Sequence, residues 1–278
     1  MATEEHLALM LGDLLKWDQW KKQHPHIYPD LSHGQFSGMD FSRANCSSVD
    51  FRHGDLRDTH FNGADLRDSQ LSYAQFNNAV LADAQLTNAI AHYTQFVAAN
   101  FASANLANID LHQANLIGAD FQRASLRYGS LYRSNMVGAN LYRADLNHVE
   151  CYGTQLEKAS LNHAILFHAH LHYVHLSQAT LHDAEFVDAH LCHVNLKGAK
   201  LTQARFNSAY LFDVDLRDAD LSGADFRWST FVRVDLTGAN LDSTNFRGAT
   251  FIRSDPTPMA LSTTNLSEAT IVTSPPQR

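Results

Sequence analysis

Nine of the fourteen histidines beyond residue 30 fall between His148 and His193, and the densest run, HAHLHYVH at 168–175, is followed by HLCH at 190–193. Imidazoles and a thiolate are donors that Zn²⁺ and Cu⁺ accept. His170, His172, His190 and Cys192 are therefore the candidate metal ligands, with Glu150 as an accompanying carboxylate. No CxxC or HExxH spacing holds these side chains on one local element, so they share an ion only if the backbone returns to the same place some twenty residues later. A ladder of imidazoles stacked on neighbouring strands is the competing reading of the same residues. The chain has no P-loop, GxGxxG or GxSxG nucleophile elbow. Neither an enzymatic activity nor a resident cofactor is expected.

The element that must position these histidines is a repeat. From Leu31 to Phe251 a large apolar residue returns every fifth position without an insertion, and it is Leu or Phe in 41 of 45 units, the exceptions being Cys46, Ala91, Met136 and Cys151. The fourth position of each unit is Ala, Gly, Ser, Thr or Val except at Met39 and Ile109. No charged residue or histidine enters either column. An unpaired buried charge costs several kcal/mol, so both columns point inward and the other three face water. A period of five fits neither a helix nor a plain strand. It fits a coil that turns a corner once per unit, closing a square every four units and rising by one strand spacing of ~4.8 Å. Residues twenty apart then stack, which places His170 over His190, His172 over Cys192 and Glu150 beside His170.

The A-[DN]-[LF]-x-x pattern, as in Ala64-Asp65-Leu66, Ala139-Asn140-Leu141 and Ala224-Asp225-Phe226, resembles the pentapeptide-repeat family over roughly four fifths of the chain. The resemblance implies an all-β fold, a right-handed quadrilateral parallel β-helix of about 11–12 coils, with large residues laddered along the axis and small ones at the corners. The unbroken phase predicts one solenoid domain over 31–255, an N-terminal helical cap over 1–30, and a degenerate last coil and C-terminal tail over 256–278.

In the cap, Thr3 is placed to start a helix with Glu4 and Glu5 in its first turn and Lys21 and Lys22 in its last, ending before Pro25. Leu7, Met10, Leu11, Leu14, Trp17 and Trp20 form one stripe, suited to cover the open end of a solenoid. The segment Trp17-Asp18-Gln19-Trp20-Lys21 with Pro29-Asp30-Leu31-Ser32 looks like the lead-in of some bacterial, notably cyanobacterial, family members. Pro256 interrupts the inward column, although Leu261, Leu266 and Ile271 keep its phase, and 273–278 reads as a disordered tail. The net charge of −8 argues against nucleic-acid binding. No signal peptide or ~20-residue apolar run is present, so a cytoplasmic protein without a membrane span is expected. Cys46 and Cys151 fall on inward positions and read as packing residues in a reducing compartment.

Function must then reside on outward columns. On the wall centred on Leu31, Phe51 and Leu71, the following column runs Tyr132, Tyr152, His172, Cys192, Phe212, Val232 and Ile252, aromatic at one end and aliphatic at the other. Tyr132, Tyr152, His172, Phe212, Val232 and Ile252 are the candidate partner-binding residues, because an exposed apolar strip marks a contact surface. A second column on that wall carries His33, His53, Tyr73 and Tyr93. Three functions stand: a non-catalytic scaffold for an unknown protein partner or for self-association; a duplex-DNA mimic of the kind that some family members present to DNA gyrase; and a His/Cys metal-binding solenoid. A mimic requires unbroken acidic columns. The column from Asp40 is instead interrupted by His60, Val80, Asn100 and Lys200, and neither the repeat-breaking loop nor the C-terminal dimer module that gyrase binders tend to carry is evident.

Overall fold

One five-residue unit explains the fold. In the computed structural model, which describes residues 3–257 and 262–272, the unit LRDSQ at 66–70 shows where its backbone hydrogen bonds go. The Leu66 N–H donates to the Gln85 carbonyl at 2.7 Å, Asp68 to Thr87 at 3.0 Å and Gln70 to Val49 at 2.9 Å, all on neighbouring coils. The Ser69 N–H closes the turn onto the Leu66 carbonyl at 3.3 Å. The remaining donor, Arg67 N–H, is met by the Asp65 carboxylate at 3.1 Å. The same side-chain bond recurs at Asp50, Asn100, Asp120, Asn195 and Asp225. Asp or Asn ahead of each Leu or Phe is therefore a turn-capping residue, which gives the A-[DN]-[LF] signature a physical cause. Where that position is Gln or Thr, a neighbouring coil supplies the acceptor: Asn77 for Val97 N–H, Asn162 for His182 N–H.

From His33 to Arg253 the third residue of each unit takes a left-handed conformation, with φ near +60° at Asp68, Tyr93, His163 and Lys158 alike. Nine glycines share it, and no β-branched residue is among those that do, as expected where each L-residue with a side chain costs roughly 1–2 kcal/mol.

The chain divides into two compact units, Met1–Ala139 and Asn140–Arg278, while the repeat phase in the sequence continues through both. In the first, parallel bridges step twenty residues at a time on four faces, from Asp30↔Asp50 to Asn115↔Asn135. The first-position residues from Leu31 to Leu131 are buried, including rings stacked between coils such as Phe101 on Phe121 at 4.8 Å.

In the second unit one face flattens into seven three-residue strands: β1 (Glu150–Tyr152), β2 (His170–His172), β3 (His190–Cys192), β4 (Tyr210–Phe212), β5 (Thr230–Val232), β6 (Thr250–Ile252) and β7 (Thr270–Val272). They form one parallel sheet in sequence order, six twenty-residue steps long. On another face Phe186, Phe206, Phe226 and Phe246 stack at 4.5, 4.7 and 5.3 Å. Each unit is thus a parallel β-solenoid. The phase carried by Leu266 and Ile271 is real, since Ile271 pairs with Phe251, and Ile271 remains 38% exposed. Leu261 and the tail at 273–278 lie outside the described residues.

The cap departs from the expected single helix. Asp13 ends α1 (Glu4–Gly12) and starts α2 (Leu14–Gln23), its carboxylate accepting from Leu15 N–H at 2.9 Å. A glycine followed by a side chain that competes for backbone donors is a break signal within the stripe. Met10 and Trp17 are buried, but Leu11 is 49% exposed. Lys21 does more than complement a helix dipole: its buried ammonium donates to the Ser47 carbonyl at 2.7 Å. Trp17 Nε1 donates to the Asn45 carbonyl at 2.7 Å, and the Asp18 carboxylate accepts from Asn45 N–H at 2.8 Å. Three polar groups spaced along α2 thus satisfy an exposed coil edge, the requirement at any open solenoid end. No helix among the described residues is long and apolar enough to cross a membrane.

Candidate functional site: the strand wall and its neighbours

The inward residues of β1–β6 are core, whereas Ile271 of β7 is partly open, and each strand offers two outward side chains. One column reads Glu150, His170, His190, Tyr210, Thr230, Thr250 and Thr270, and the other Tyr152, His172, Cys192, Phe212, Val232, Ile252 and Val272, with every neighbour in parallel register. Five of the six expected partner-binding residues, Tyr152, His172, Phe212, Val232 and Ile252, therefore lie on one column. Tyr132 belongs to the first unit, where it stacks on His112 at 4.7 Å under the Arg133 guanidinium. Phe212 is flanked by the edge of the His193 ring and by the Arg233 guanidinium, 4.3 Å above its centroid. Arg233 is in turn held by Asp213, whose carboxyl that hydrogen bond keeps below the usual range. Beyond Phe212 the wall becomes a β-branched surface of Val232, Ile252 and Val272 beside three threonines, all half-buried or exposed.

The aromatic column of the first unit is a stack. His33, His53, Tyr73 and Tyr93 lie 4.8–4.9 Å apart with their planes nearly parallel. The stack then passes to the adjacent column through the Tyr93 contact with His112. In the second unit Tyr152, Tyr173, His193 and Phe212 change columns in the same way. Within the His33, His53, Tyr73 and Tyr93 stack the rings cover one another's faces, whereas Tyr152 with Tyr173 and His193 with Phe212 meet tilted or edge-on.

The expected metal set is placed in register but not gathered around one point. His170 and His190 stack at 5.2 Å and 18°, and His172 lies 6.5 Å from His170 on the same strand. Partial burial, reinforced by the neighbouring His170, lowers the His172 pKa, and burial raises that of the Cys192 thiol. The thiol is thus biased away from the thiolate that binds metal. Among the described residues, the group whose donor atoms do fall within 4.8 Å of one another is His163, His182 and Asp183, on a different face. Its spacing of nineteen and twenty residues is a sequence signal that a search by local motif passes over.

The acids of the surface are paired in a way the sequence also shows. In D-[LF]-R units, Arg52, Arg57, Arg67, Arg217 and Arg227 each clamp the carboxylate two residues before them at 2.6–2.7 Å. The guanidinium hydrogen bond holds Asp55 and Asp215 below the usual carboxylate range. At Asp65 and Asp225 burial works against ionisation, yet the arginine and turn hydrogen bonds still bring the net shift downward. Five acids are thus neutralised locally, which adds to the interruptions that already separate these columns from a DNA-like charge array. Cys46 and Cys151 are buried, Cys192 is partly exposed, and all three are free thiols. Burial pushes Cys151 up to about 12 and Cys46 higher still, so both are packing residues.

Two family models match most of the repeat. One described as pentapeptide repeats (8 copies) matches residues 28–58, 44–83, 64–101, 94–127 and 130–162, and one described as a pentapeptide repeat region matches 169–246. Among solved structures, HetL, a pentapeptide repeat protein involved in heterocyst differentiation regulation from the cyanobacterium Nostoc sp. strain PCC 7120, is 26% identical. That match covers 80% of this chain and 89% of HetL, with a TM-score of 0.34. QnrB1, a plasmid-mediated fluoroquinolone resistance protein, is 16% identical over 73% of this chain and 88% of its own, with a TM-score of 0.37. A pentapeptide repeat protein from the Arabidopsis thaliana thylakoid lumen is 25% identical over 34% of this chain and 63% of its own, with a TM-score of 0.21. No curated protein matches.

Proposed function

Because the chain belongs to the pentapeptide-repeat family, whose inward columns build the solenoid and leave only its walls for recognition, we propose that it is a non-catalytic interaction scaffold. Its contact surface is the β3–β7 part of the strand wall, which takes up a partner protein or a second copy of this chain. One observation carries the reading: Phe212, Val232, Ile252 and Val272 stand in register on a flattened face, next to Thr230, Thr250 and Thr270. Fold formation requires only the inward residues between them, so an outward apolar run is unexplained by the core. Such a surface buries apolar area without stranding charge, and its large anchors sit where hot spots concentrate. The local pairing of acids with arginines speaks for this reading over a DNA mimic. A reducing compartment such as the cytoplasm fits three free thiols.

The test is Phe212→Asp combined with Val232→Asp. Both side chains point outward, so far-UV circular dichroism should be unchanged. Self-association by light scattering, or capture of the wild-type partner, should be lost. A folded double variant that keeps both the wild-type mass and the wild-type partners contradicts the proposal.

A further inference from the structure

The strongest unassigned cluster lies away from the strand wall. His163 and Asp183 occupy left-handed third positions on successive coils, and His182 precedes Asp183. Backbone bonds fix all three: His163 N–H donates to the His182 carbonyl at 2.8 Å and Asp183 N–H to the Thr202 carbonyl at 3.0 Å. Asn162 accepts from His182 N–H at 2.9 Å. The side chains converge on one point. Asp183 Oδ2 lies 3.4 Å from His182 Nε2 and 3.6 Å from His163 Nδ1.

These separations are informative because they are long for N–H···O hydrogen bonds, which centre near 2.9–3.0 Å. Two ligands bound at about 2.1 Å and subtending a tetrahedral angle at Zn²⁺ stand about 3.4 Å apart. The second imidazole nitrogen of His182 already has a partner, since its Nδ1 lies 2.8 Å from the Thr202 hydroxyl. When Nδ1–H donates to that oxygen, Nε2 presents its lone pair to Asp183. This is the arrangement by which outer partners set the tautomer of metal-bound histidine. The edge of the Tyr142 ring-packing contact, 5.5 Å between centroids and perpendicular, supports His163 from one side. A groove of about 260 Å³ lined by Thr202, Ser222 and Asp242 opens beside His182.

We propose that His163, His182 and Asp183 form a site for a divalent first-row transition ion of the Zn²⁺ class, with two imidazoles, one carboxylate and an open position for water. Thr202 is a positioning residue that acts through His182. The site is independent of the strand wall and of the His170/His190 stack.

The experiment is calorimetric titration of Zn²⁺ into the full-length protein at neutral pH in a non-coordinating buffer, paired with X-ray absorption at the zinc edge. Asn tolerates the left-handed backbone of position 163, and position 182 lies outside that region, so His163→Asn with His182→Asn preserves the fold, which circular dichroism checks. The wild type should bind one Zn²⁺ with an N/O shell, and this double variant should lose it. Thr202→Val should weaken it about tenfold, whereas His170→Asn with His190→Asn should leave it unchanged. Absence of wild-type binding, retention in the His163/His182 variant, loss in the His170/His190 variant, or a sulfur ligand near 2.3 Å would each overturn the assignment.

Discussion

Phe206→Ala removes the middle of a core ladder whose neighbours cannot close over the gap. The ring is fully buried and lies parallel to Phe186 at 4.5 Å and close to parallel with Phe226 at 4.7 Å. The coil spacing on either side is set by backbone bonds: Phe206 N–H to the Asp225 carbonyl at 2.7 Å and Arg205 N–H to the Ala184 carbonyl at 2.9 Å. A core Phe→Ala exchange costs about 3–5 kcal/mol, the upper part applying where a site collapses poorly. Two lost ring stacks contribute ~0.5–1.5 kcal/mol each within that figure. The expectation is therefore about 4 kcal/mol. Phe206→Leu should cost less than ~1.5 kcal/mol, since Leu146 and Leu166 already fill the corresponding place on this face. Arg205→Ala should stay within about 0.5 kcal/mol, because its ion pair with Glu185 is exposed. Urea unfolding followed by circular dichroism reads all three. Equal losses for Phe206→Ala and Arg205→Ala would refute the inward–outward phase on which the fold rests.

Leu141→Asp, at a fully buried position, should prevent folding, because it strands a charge in a ladder. Arg143→Asp, two residues on and outward, should be nearly silent in a thermal melt. Lys158→Gly should raise stability by roughly 1 kcal/mol, because φ of +58° costs a residue with a side chain about that much. Lys158→Val should lower it, and the opposite order by chemical denaturation would discard the left-handed turn. Asp55 and Asp215 have folded-state pKa values below their ordinary range. Their contribution is thus complete above about pH 4, the unfolded value, and disappears as pH falls through the lower folded value. Arg57→Gln with Arg217→Gln should accordingly reduce stability at neutral pH and converge on the wild type in acid. A deficit that persists undiminished at the acid end would exclude this linkage.

A rigid five-residue period makes much of this molecule readable in advance. Once Leu and Phe recur in phase, the twenty-residue register follows, and it correctly stacks Glu150, His170 and His190 in one column and Tyr152, His172 and Cys192 in the next. The features that escape depend on direction and not on register. A third-position residue in the left-handed region leans toward a neighbouring coil, so His163 meets His182 and Asp183, and Tyr173 meets Tyr152 across columns. The cap shows a different limit. A continuous apolar stripe hides a break at Gly12-Asp13, since local capping by the Asp13 side chain outcompetes helix continuation. Lys21 was readable as a dipole charge but not as a donor to Ser47, a contact between residues 26 apart in sequence.

The contact wall itself can be probed by placing a photocrosslinking side chain at Val232 or, as the outward control on another face, at Thr237, in the full-length chain expressed in its native host. Crosslinking at Val232 should trap one discrete species, either a dimer of this chain or a single partner protein, and Thr237 should not trap it. Equal trapping at the two positions, or trapping at Thr237 alone, would contradict the assignment of the strand wall as the interaction surface.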